Sequence, residues 1–131
     1  MKVFRGFWRR WRKFRFRNSF YRAVRWNDAA ICIVAIPVIE GDERSLPPLP
    51  WGQVEKVLAF KRDNFFTDEI CLLFVRDNDQ CIEVSEEDQG YNELIAKLRN
   101  HLRGFPPLED WFLTVAFPAF KTNPTKVWQR S

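Results

Sequence analysis

The run Ile70-Cys71-Leu72-Leu73-Phe74-Val75 has no polar residue in six positions. A β-strand built from it has no face that tolerates water, so it must be covered on both sides. Ile31 to Ile39 is a second strand-forming run of this two-sided type. It belongs to the longest apolar stretch, Ala29 to Ile39, which is 11 residues long and contains Pro37. That is a core strand and too short for a membrane span. A chain of 131 residues with 46% hydrophobic content can supply such a core as one domain, and its composition excludes collagen-like and wholly disordered classes.

Around these runs the sequence predicts an antiparallel arrangement. Val54 to Lys61 alternates imperfectly, and Arg76-Asp77-Asn78-Asp79 is a turn leading from Ile70–Val75 into Cys81-Ile82-Glu83-Val84, which together make a hairpin. A turn near residues 77–78 sets position 71 opposite 84 or 85, so Cys71 and Cys81 do not face each other and no disulfide is expected. Trp26-Asn27-Asp28 reads as another turn. Glu40 to Pro50, with Gly41 and three prolines, reads as a surface loop, a rigid connector in preference to a ligand for a proline-reading module.

The clearest helix spans Tyr91 to Leu102. Tyr91, Leu94, Ile95, Leu98 and Leu102 form one stripe, Ser85-Glu86-Glu87-Asp88 has capping-box character before it, and Arg99, His101 and Arg103 suit its carboxyl end. Gly104 is expected at the C′ position, with Pro106-Pro107 ending the element. Trp111 to Ala116 reads as a strand or extended segment. In the tail, broken by Pro118 and Pro124, Phe117, Phe120, Val127 and Trp128 are expected to fasten it to the body. Strands without a βαβ rhythm and one late helix give an α+β class, most simply a bent antiparallel sheet or small open barrel.

Charge divides the chain into residues 1–17, a basic aromatic arm, and residues 18–131, the folded domain. Residues 1–27 hold ten basic groups and no acid, which leaves residues 28–131 with 11 basic and 17 acidic groups, a net −6. At 100° per residue Val3, Phe4, Phe7, Trp8, Trp11 and Phe14 share one face and Arg5, Arg9, Arg12, Lys13 and Arg17 the other, predicting an amphipathic basic helix. From Phe16 the alternation of aromatic and basic residues allows a strand start. Three readings of the arm stay open. Arg5, Trp8, Arg9, Arg12 and Lys13 suit an anionic membrane surface; the same residues suit nucleic acid through phosphate contact and stacking; or the aromatic face covers one end of the sheet.

The residues do not spell out a reaction. GxGxxG, GxxxxGK[ST], HExxH and GxSxG motifs are all missing. The single histidine, His101, falls in a last helical turn, where it complements the dipole. Asp77-Asn78-Asp79 lacks the Gly and Glu of a calcium loop. No enzyme activity, cofactor or metal is expected. Cys32, Cys71 and Cys81 are odd in number, lack a CxxC and lie in apolar runs, which predicts buried free thiols in a reducing cytoplasm.

The block Trp51 to Leu72 (WGQVEKVLAFKRDNFFTDEICL), with Gly90-Tyr-Asn-Glu-Leu-Ile95 and Trp111 to Phe120, resembles small bacterial proteins sharing a W..I..V.AFKRD…D.ICL core that look pleckstrin-homology-like. The likeness spans residues 50–125 and leaves the arm uncovered. Tyr91 stands where that pattern has Trp, a change of packing. The resemblance implies an immunity protein of a toxin–immunity system, a non-catalytic binder that covers a cognate toxin. An acidic body suits a basic toxin, and Asp63, Asp68, Glu69, Glu86, Glu87 and Asp88 are the candidate contacts. Lys61-Arg62-Asp63 is equally readable as a local ion network. The oligomeric state is not legible.

Overall fold

The strands form two antiparallel sheets in a computed structural model that describes residues 20–63, 68–77, 80–117 and 124–131. The expected helix over the arm lies outside the described residues. In the first sheet β1 (Phe20–Trp26) pairs with β2 (Ala30–Pro37), and β2 also pairs with the short β3 (Arg44–Ser45) and β4 (Leu49–Pro50). The β1–β2 turn forms as expected, because Asn27 Oδ1 accepts from the backbone N–H groups of Ala29 and Ala30 at 2.8 and 2.9 Å. The segment expected to be only a loop, Glu40 to Pro50, thus carries two short strands, anchored by buried Leu49.

The second sheet has the order β7 (Cys81–Ser85), β6 (Asp68–Arg76), β5 (Val54–Asp63), β8 (Thr125–Gln129). Ile70 to Val75 is buried at every position, as its composition requires. The hairpin has the expected register, with Cys71 opposite Ser85 and Cys81 opposite Val75, and all three cysteines are free. Only Cys71 is fully buried; Cys32 and Cys81 are half-buried. β8 pairs with β5, and Trp128 is its buried anchor.

Helix α1 (Tyr91–His101) is the predicted one. Its entry differs from expectation: the N-cap is Gly90 at φ 93°, with no side-chain cap. Ser85 and Asp88 instead close the preceding turn on itself, Asp88 Oδ2 accepting from Ser85 N–H at 2.9 Å and Ser85 O from Asp88 N–H at 2.9 Å. At the other end Leu102 is the C-cap, so Gly104, at φ 80°, lies one position beyond C′.

Leu108–Ala116 is a helix (α2) where a strand or extended segment was expected. Pro107 caps it, Glu109 and Asp110 occupy its first turn, and acids there are favoured by the dipole. Trp111 and Val115, four apart, are buried while Leu113 is 63% exposed, a helical period that a strand would have inverted. One core joins both sheets and both helices, with Val24, Ile31, Ile33, Val57, Leu72, Phe74, Val84, Leu94, Leu98, Trp111 and Trp128 among its members. Among the described residues the architecture is α+β with two antiparallel sheets and two helices and no closed barrel; the expected single late helix is followed by a second.

Candidate partner-binding site

The first and second sheets meet where β1 passes the turn between β7 and α1. Val24 N–H donates to Gln89 O at 2.8 Å and Gln89 N–H to Arg22 O at 3.1 Å, which brings the β1 backbone alongside residues 86–89. The Arg22 side chain fills this seam. Its Nη2 donates to Glu83 O at 2.7 Å, its Nε lies 3.2 Å from Asp88 Oδ1, and its Nη1 lies 4.0 Å from Glu83 Oε2. A buried guanidinium is tolerable only with such partners.

A wider charge network continues across the second sheet. Arg62 on β5 hydrogen-bonds the Glu83 carboxylate and lies 3.4 Å from Glu69 Oε1. Ser85 Oγ donates to Glu69. Burial pushes the Glu83 carboxyl up to about 7, against the pull of Arg62 and Arg22. The same burial raises the Cys71 thiol far above its ordinary value, so Cys71 is inert as a nucleophile at neutral pH. Lys61 belongs to a separate pairing, 3.5 Å from Asp68 and donating to Ala116 O at 2.9 Å.

The six acidic candidates are therefore dispersed in role. Glu69 and Asp88, read from the sequence as contacts, are 4% and 6% exposed and use their carboxylates inside the molecule. Asp68 is half-buried against Lys61. Asp63 ends β5 in register with Asp68. Glu86 is exposed, yet its Oε1 accepts from Ile70 N–H at 2.8 Å. Glu87 is exposed, and among the described residues it is engaged through its backbone N–H, with Ser85 Oγ at 3.0 Å. Arg5, Trp8, Arg9, Arg12 and Lys13 lie outside the described residues.

Glu87 and Asp88 line a cleft of about 330 Å³ with Phe20, Tyr21, Arg22 and Gln89. Tyr21 is an exposed large apolar ring and Arg44 already sits 5.9 Å from the Phe20 ring centre. An exposed ring beside a carboxylate attracts a cationic side chain through both ring quadrupole and charge. Tyr21 and Phe20 were the members missed in the sequence; their alternation with arginine resembled the arm before them.

Among the described residues, no group of three or more His, Cys, Asp and Glu is arranged to hold a metal ion. His101 stacks on Trp51, ring centres 4.7 Å apart and planes 8° from parallel, so it is a packing residue as well as a complement to the α1 dipole. None of the described helices is long and apolar enough to cross a membrane. Comparison with protein-family models, with curated proteins and with solved structures gives no match.

Proposed function

We propose that this protein is a non-catalytic binding protein of the immunity type, with a pleckstrin-homology-like body that neutralises a basic protein toxin. The observation that carries the reading is the cleft that Tyr21 and Phe20 line together with Glu87 and Asp88. The internal acids of the seam are balanced by Arg22 and Arg62, whereas Glu87 is exposed and forms no ion pair among the described residues. A lysine or arginine of the toxin enters this cleft beside the exposed Tyr21 ring and meets Glu87. The net −6 of residues 28–131 speeds encounter with a basic partner.

The test is co-expression with a toxin encoded beside the gene, scored by cell survival and by the affinity of the purified pair. Rescue by the wild type, with binding weakened about tenfold or more by Glu87→Lys and by Tyr21→Ala, is the expected result. A toxin that kills equally with and without the protein, or binding indifferent to both substitutions, overturns the proposal.

A further inference from the structure

A second concavity, of about 500 Å³, lies between the end of α1 and β8, lined by His101, Leu102, Arg103, Trp128, Gln129, Arg130 and Ser131. No Asp or Glu is among these residues, although the body as a whole is acidic. Its cations are unusual in how they are held. Arg130 Nε donates to Val54 O at 2.9 Å and Nη2 to Trp51 O at 2.8 Å, with the guanidinium 5.5 Å from the Trp128 ring centre. Anchoring by neutral carbonyls and a ring fixes the guanidinium without cancelling its charge, unlike the carboxylate pairs of Arg22 and Arg62. Arg130 Nη1 has no hydrogen-bond partner among the described residues. Arg103 is exposed and forms no ion pair among them.

The negative end of the α1 dipole opposes an anion here and has to be outweighed by the arginines; some carbonyls at and just beyond that end are already hydrogen-bonded. Leu98 O accepts from Leu102 N–H at 2.8 Å, Leu102 O from Phe105 N–H at 3.1 Å, and Arg103 O from Trp128 Nε1 at 2.8 Å. Trp51 ties the parts together, since it both stacks on His101 and accepts from Arg130. The geometry points to an anion-binding groove for the phosphate group of a small phosphorylated molecule, gripped between Arg130 Nη1 and Arg103. The groove volume is that of a small-ligand site, and the inference stands independently of the toxin-binding reading.

The test is titration of the full chain with inorganic phosphate and with glycerol phosphate, followed by nuclear magnetic resonance at the Trp128 indole N–H and the Gln129 and Arg130 amides. Saturable shifts with either probe, weakened about tenfold by Arg103→Ala and abolished by Arg103→Glu, are expected. Stronger binding of glycerol phosphate assigns an organic phosphate, and stronger binding of the inorganic ion assigns free phosphate; both support the groove. Arg103 is exposed, so neither variant endangers folding; Arg130→Lys, which keeps the charge but loses the double carbonyl anchor, weakens binding as well. Shifts that do not saturate, that sodium chloride reproduces at matched ionic strength, or that Arg103→Glu leaves unchanged overturn it.

Discussion

Glu83 concentrates the chemistry of the buried network at one carboxyl. Its ordinary value of 4.5 is raised to about 7 by burial, so between those limits the folded state holds a proton that the unfolded chain has released. Its stabilisation is complete below pH 4.5 and is lost as pH rises toward 7. Urea midpoints measured across pH 4–8 should fall over that window by more in the wild type than in Glu83→Gln, whose amide does not titrate. Parallel curves for the two proteins sink this account. Residue type alone did not disclose the network. Arg22 is one of ten basic residues in the first 27, and the others made it look like a solvated member of the series. Lys61-Arg62 was readable as an ion network, but the two side chains leave β5 in opposite directions and serve different partners. Only the register of β5 against β6, which sets Arg62 opposite Glu69 and Lys61 opposite Ile70, separates those roles.

At the scale of elements, the join between the first sheet and α1 turns on Gly90. A Cβ added there would lie 2.7 Å from Val24 O, and the residue's φ of 93° strains any L side chain. Gly90→Ala should cost about 1–3 kcal/mol, read as a lowered melting temperature with helix content retained below it. A variant as stable as the wild type would show that the join yields without cost. The α1 stripe and the β6–β7 hairpin were plain in the sequence because each carries one unbroken period. Leu108–Ala116 misled because Trp, Phe, Thr and Val favour strands, while the spacing of Trp111 and Val115 and the acids after Pro107 favoured a helix. The short β3 and β4 lack any period of their own and exist only as partners of β2. Of the candidate site, Glu87 and Asp88 were legible as acids before a helix. The cleft was not, since it depends on β1 arriving beside a turn more than sixty residues away.

For the molecule as a whole, Arg22 is a buried polar link between the two sheets, donating from β1 to Glu83 O on β7 within the shared apolar core. Removing it leaves Glu83 and Asp88 short of a buried partner. Arg22→Ala should therefore lose about 3–5 kcal/mol in denaturant unfolding. Tryptophan fluorescence and far-ultraviolet circular dichroism should report one shared transition in the wild type. A loss below about 1 kcal/mol would mean that the apolar core alone couples the sheets.

The placement of β8 beside β5 also has a consequence in time. The strand at Val54–Asp63 acquires its second neighbour only when Thr125–Gln129 has been made. The 61 positions between Asp63 and Thr125 take roughly 3–12 seconds to translate at about 5–20 residues per second. Throughout that interval one edge of β5 stands open to any other nascent strand. The ribosome's pace between these two strands thus sets how long the emerging chain is exposed to mispairing.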